Sequence, residues 1–158
     1  MAVKLPNKEL PRLHLPPAEI KLRKANGQLM ILDVLRKRWL ACLPEEWVRQ
    51  HWIHYLVNSL QYPPGLIAQE HEIPYLGTKR RADIVAFTRD TKPYLIIECK
   101  APEISLDTSV VEQASVYNSV LKAPYIVVSN GLLHLCAQMN ADMKGFTFCR
   151  SVPSFPIG

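Results

Sequence analysis

No run of 18 or more apolar residues occurs in the 158-residue chain, which excludes a helical membrane span. The opening stretch, MAVKLPNKELPRLHLPP, lacks the apolar core of a secretory signal, so a cytoplasmic protein is expected. The four cysteines, Cys42, Cys99, Cys136 and Cys149, form no C-x-x-C pair and have no histidine partner at zinc spacing. They read as reduced core or strand residues, which argues against both a disulfide framework and a zinc centre. The phosphate-binding pattern G-x-x-x-x-G-K-[ST] is missing, so these residues contain no nucleotide-driven motor. Internal repeats and low-complexity tracts are missing as well.

What is present fits one globular domain. Hydrophobic residues make up 48% and charged residues 21%, the balance of a chain that can bury a core and stay in water. The net charge of +5 suits a polyanionic partner. Its basic residues gather as Lys21, Arg23 and Lys24, as Arg36, Lys37 and Arg38, and as Lys79, Arg80 and Arg81. On composition alone each cluster reads equally as solvated surface or as a nucleic-acid contact.

Residues 1–17, rich in proline and lysine, suggest an extended arm, residues 18–150 a single domain, and residues 151–158 a tail. Asn26-Gly27 lies between two strand-like stretches and predicts an N-terminal β-hairpin, because a type I′ turn needs positive φ at both central residues. Pro44, Glu45 and Glu46 open a helix: proline tolerates the first turn and acids suit the helix dipole. Three strand candidates follow in GLIAQEHEIPY, RRADIVAF and PYLIIECKA. A second helix over about residues 107–122 has SVVE, Ser109 to Glu112, as a candidate capping box. Two more strands meet at Asn130-Gly131, and GFTFCRSVPSFP offers an edge strand. This order predicts a mixed α/β fold, a central mixed sheet with helices on its faces.

Charge interrupts two of these strands. Asp83 lies inside RRADIVAF, and Glu98 and Lys100 lie at the end of PYLIIECK. Glu98 and Lys100 share one strand face, with Cys99 on the other. If Asp90-Thr91 is a two-residue turn, paired residue numbers sum to 181, Asp83 lies across from Glu98, and Arg81 lies across from Lys100. Neighbouring half-buried carboxylates ionise together when a cation sits between them. Hard oxygen ligands with a phosphate substrate point to Mg²⁺ or Mn²⁺. Lys100 would then orient the attacking water or stabilise negative charge on phosphorus. The bland alternative is a structural ion pair at the strand ends.

Asp83, fourteen residues, then Glu98-x-Lys100 on successive strands is similar to the PD-(D/E)xK nuclease signature. Gln113-Ala-Ser-Val-Tyr117 on the second helix matches the Q-x-x-x-Y element of its RecB-like branch. Taken with PEEWVRQHWIHYL, RRADIVAF and ECKAP, the set resembles the N-terminal nuclease domain of type I restriction enzyme R (HsdR) subunits over roughly residues 30–140. The resemblance implies a restriction-endonuclease-like core and metal-dependent phosphodiester hydrolysis of DNA. It implies Asp83 and Glu98 as Mg²⁺ or Mn²⁺ ligands, with the Cys99 carbonyl as a third contact. Lys100 would be the catalytic lysine. Gln113 would support the lysine or contact the DNA backbone, and Tyr117 would join it at the DNA. A first-helix acid often completes the metal set; Glu46 is taken for it, although periodicity does not separate Glu46 from Glu45. Lys79, Arg80 and Arg81 would contact phosphates. Ala82 replaces the proline of the signature, a change without chemical consequence. A motor or specificity subunit is an implied partner, and a homodimer is open, since two cuts in a duplex need two active sites. The alternative is a catalytically silent nucleic-acid-binding or interaction module with the same fold.

His51, His54, His71 and His134 form no spaced cluster and read as structural residues. Trp47, Trp52 and Tyr55 read as core aromatics, although they could stack bases. Glu70 could face the site, although an ordinary charge on an edge strand is its default reading.

Overall fold

The computed structural model describes residues 3–4 and 9–157. Strands β1 (Val3–Lys4) and β2 (Glu9–Leu10) pair antiparallel. The chain then lies along the body, with Leu10 and Leu13 buried. Strands β3 (Leu22–Ala25), β4 (Gln28–Asp33) and β5 (Arg38–Ala41) form a three-stranded antiparallel meander. Asn26 and Gly27 take φ of 52° and 75°, as the hairpin turn requires. The expected two-stranded hairpin thus gains a third strand. Its second turn contains neither glycine nor proline. Lys37 takes the left-handed region at φ 54°, and the Asp33 carboxylate accepts the Leu35 and Arg36 N–H groups, both at 3.0 Å.

Helix α1 (Pro44–Asn58) starts where the proline and acids predict. A one-turn 3-10 helix (Pro64–Leu66) leads into β6 (Ile67–Tyr75), β7 (Thr78–Phe87) and β8 (Pro93–Cys99). Helix α2 (Thr108–Leu121) precedes β9 (Tyr125–Ser129), β10 (His134–Met139) and β11 (Phe146–Phe148). Strands β6 to β11 form one six-stranded sheet in the order β11-β10-β9-β8-β7-β6. Its pairs are antiparallel apart from β8 and β9, which run parallel and are joined through α2. The expected mixed sheet with flanking helices is what the chain forms.

Strand alternation sends Ile84, Ala86, Leu95 and Ile97 into the cluster that holds Trp52, Ile53 and Leu56 of α1. Ile126 and Val128 pack with Val111 and Ala114 of α2, and Val85 and Ile96 lie in a neighbouring cluster with Tyr117 and Leu121. The central strands are therefore covered on both faces, as their continuous apolar runs imply. Helix α1 lies between two sheets, contacting β8 and β4, which explains why Trp47 to Ile53 are all buried.

Two local expectations are corrected. The β7–β8 connection is no two-residue turn. Thr88 N–H bonds to the Lys92 carbonyl and Thr91 N–H to the Thr88 carbonyl, both at 2.9 Å, which leaves a three-residue loop. A register shift then passes over Tyr94 and restores the pairs Ala86–Leu95, Val85–Ile96 and Ile84–Ile97. The expected register holds over these three pairs because loop and bulge compensate, but the ladder stops short of the expected Asp83–Glu98 and Arg81–Lys100 pairs. Helix α2 is capped by Asp107, whose carboxylate accepts the Ser109 N–H at 2.9 Å, and not by a box beginning at Ser109.

Candidate active site

The β7–β8 ladder ends at Ile84–Ile97, one residue before Asp83 and Glu98. Beyond that point the two strands part. The Cys99 N–H, freed from any partner on β7, donates to Asp83 Oδ2 at 2.8 Å. Strand β6 is distorted at the same level: Gln69–Ile84 and His71–Ala82 are ladder pairs, while Glu70 drops out at φ 51°. A left-handed backbone costs a residue with a side chain about 1–2 kcal/mol. Here it turns Glu70 toward α1.

Two cavities flank this fork. One, of about 190 Å³, lies on the α2 side and is lined by Arg80, Arg81, Glu98, Lys100, Gln113 and Tyr117. The other, of about 180 Å³, lies on the α1 side and is lined by Glu45, Glu46, Arg49, Glu70, Asp83 and Cys99. The fold thus assembles residues from β6, β7, β8 and both helices around the Asp83–Glu98 pair. Lys79 lies on the same ribbon, exposed, outside both cavities. Both first-helix glutamates line the α1-side cavity. Glu46 is the one fixed there, in a buried ion pair with Arg49 and accepting from Gln50 Nε2 at 2.9 Å.

The electrostatics turn on Glu98. Burial, then the charge of Asp83 in hydrogen-bonding contact, push its carboxyl up to about 8, against the pull of Lys100. Glu98 therefore keeps its proton at neutral pH. Cys99 is pushed well above the ordinary thiol value by burial, so it offers no thiolate. Among the described residues no three His, Cys, Asp or Glu side chains converge as a complete cation cage. Two touching carboxylates that repel, with open space on either side, fit a divalent ion that keeps several waters, as Mg²⁺ and Mn²⁺ do. They do not fit a zinc site.

A chain of charge supports the α1 side. Asp33, fully buried, accepts Arg36 Nε at 2.6 Å and Gln69 Nε2 at 3.0 Å. Arg36 reaches Glu70 at 2.8 Å, and Arg49 lies 3.5 Å from Glu70 and pairs with Glu46. Burial raises the Asp33 carboxyl, but hydrogen bonds from Arg36 and Gln69 outweigh it and hold the group below its usual range. Glu70 is held low first by Arg36. Glu70 is therefore no idle edge charge: it joins the N-terminal meander to the arginine beside Asp83.

On the α2 side, the Arg80 guanidinium lies over the Tyr117 ring, 4.7 Å from its centre, and Tyr75 meets the same ring edge-on at 5.4 Å. Tyr117 thereby fastens the β6–β7 ribbon to α2. Of the histidines read as structural, His51 Nδ1 bonds to the Trp47 carbonyl at 2.7 Å, and His134 bonds to Ser129 Oγ and the His14 carbonyl, both at 2.7 Å. His71 meets the Phe87 ring instead, and His54 Nε2 is buried with no hydrogen-bond partner among the described residues. Trp47 and Trp52 are core residues.

The family profile described as type I restriction enzyme R protein N terminus matches residues 44–153. The chain belongs to that family. The match to the type I restriction enzyme R protein N terminus spans α1, the whole six-stranded sheet and α2, and so contains the fork and both cavities. This places the chain with restriction-enzyme, nuclease-related domains. No curated protein matches the sequence significantly. No helix among the described residues is long and apolar enough to cross a membrane.

Proposed function

We propose that the chain is a metal-dependent deoxyribonuclease domain of the PD-(D/E)xK type, working within or beside a restriction assembly in the cytoplasm. One observation carries the reading: Asp83 and Glu98 touch at the point where β7 and β8 part, with Lys100 and Gln113 lining the adjoining cavity. Packing alone favours apolar residues at such a place, because buried like charges destabilise the fold.

Asp83, Glu98 and, after leaving Arg49, Glu46 are the residues that would hold Mg²⁺ or Mn²⁺. Such an ion supplies Lewis-acid stabilisation of the charge that builds on a phosphodiester. Lys100 places a positive charge on the same side as Glu98, where it orients water or meets the developing negative charge. Gln113 positions the lysine or the DNA backbone, and Lys79, Arg80 and Arg81 hold flanking phosphates. The partners in this reading are DNA and a motor or specificity subunit, which the restriction-enzyme family supports, with self-association able to place a second site on the opposite strand.

The test is cleavage of plasmid and linear duplex DNA with Mg²⁺ or Mn²⁺, comparing wild type with Lys100→Ala. The variant is expected to lose cleavage by about a hundredfold or more while keeping DNA affinity. Equal cleavage by both proteins removes Lys100 from the chemistry. DNA binding by both without cleavage by either would favour a silent binding module.

A further inference from the structure

The β6–β7 ribbon ends in a turn whose chemistry does not serve folding. Leu76 and Gly77 take φ of 46° and 73°. Asn26 and Gly27 take nearly the same pair of angles in the β3–β4 hairpin. At the first turn position the chain uses asparagine once, which tolerates a left-handed backbone, and leucine once, which does not. Burial does not offset that strain. Leu76 is 84% exposed, and among the described residues the terminal Ile157 is the one large apolar side chain more exposed. A strained, solvated leucine at a hairpin tip points to a function outside folding.

Its surroundings indicate the partner. Beyond Ile84 the ribbon has left β8, so residues 71–82 pair within the ribbon alone. Lys79, Arg80 and Arg81 are exposed along β7, with Glu72 opposite Arg81. Arg80 and Arg81 also line the cavity that holds Glu98 and Lys100. At about 3.3 Å per residue, the tip lies roughly 15 Å from Arg81, or about four base-pair steps. Cationic residues beside an apolar tip on a narrow ribbon match the way proteins unstack a base step through the minor groove.

We propose that the β6–β7 ribbon engages duplex DNA and that Leu76 is a wedge inserted between base pairs a few steps from the cleaved phosphate. The proposal rests on the reading of the site as one that acts on DNA.

The test is Leu76→Asn, which gives this turn the residue that the other hairpin already uses, so the fold is expected to melt at an equal or higher temperature. Duplexes carrying 2-aminopurine at successive positions, with Ca²⁺ to prevent turnover, report unstacking as a rise in fluorescence. Wild type is expected to brighten one or two adjacent positions. Leu76→Asn is expected to abolish that signal and weaken duplex binding about tenfold, with little effect on single strands. Cleavage by both proteins with the same affinity and no brightening would overturn the wedge and leave the nuclease reading standing. Brightening by wild type without cleavage in Mg²⁺ would keep the wedge and remove the hydrolytic reading. Failure of wild type to bind duplex overturns the proposal. So does a fall in mass by sedimentation for the variant, which would assign Leu76 to a contact between copies.

Discussion

Glu98 is a carboxyl held protonated by its place in the fold. Its folded value, about 8, lies above the ordinary 4.5, so folding takes up a proton between those values. The stability this contributes is complete below about pH 4.5 and is lost as pH rises through about 8. Asp33 and Glu70 act in the opposite sense. Held below their ordinary values, they stabilise above those values and lose the contribution as pH falls further. Burial holds His51, His54 and His134 below their ordinary 6.5, which adds stability above that value. They partly offset the fall set by Glu98, on the order of a few kcal/mol between about pH 5 and 8.5 in metal-free protein. Urea unfolding across that range measures it. In Glu98→Gln the decline should flatten, and an unchanged decline would place the titrating group elsewhere.

At the scale of elements, the site depends on a meander outside the sheet. Asp33 at the end of β4 holds Arg36, Arg36 holds Glu70 on β6, and Arg49 on α1 bridges Glu70 and Glu46. Asp33→Ala removes the acceptor that Arg36 and Gln69 share, leaving Arg36 its bond to Glu70, and is expected to cost about 3 kcal/mol, a fall in Tm of roughly 10 °C by calorimetry. A shift below 2 °C would mean that water replaces the carboxylate. None of this chain was legible in the sequence, because its links join residues 33, 36, 49 and 70 and depend on a backbone angle at Glu70 that no residue type announces. Local chemistry was legible: Asn26-Gly27 made its turn, Pro44 opened α1, and apolar alternation placed β6 to β9. Strand β5 was missed because Lys37, and no glycine, turns the chain before it. The juxtaposition of Asp83 and Glu98 was legible from the register, whereas the fork was not. Strand alternation implies that both carboxyls face one way, while the parting of β7 from β8 sets them at the boundary of two cavities.

Over the whole molecule, the basic ribbon adjoins Glu98, with Arg80 and Arg81 lining the Glu98 cavity, while Asp83 lines the cavity on the α1 side. Affinity for duplex DNA should fall with salt as phosphate contacts release counterions, and Lys79→Ala or Arg81→Ala should each reduce the slope of log K against log salt by about one. An unchanged slope in both variants would move the DNA path off the ribbon. The match to the type I restriction enzyme R protein N terminus covers the ribbon and both carboxylates, since it runs from the start of α1 past β11.

The proposed nuclease chemistry requires that Asp83 and Glu98 hold a divalent cation. Calorimetric titration of Mn²⁺, with Ca²⁺ as the non-catalytic comparison, into wild type and Asp83→Asn tests it most directly. The predicted result is saturable binding to wild type, with proton release from Glu98 near pH 7, lost in the variant. Absence of binding to wild type, with and without duplex DNA, would overturn the metal site and favour the catalytically silent module.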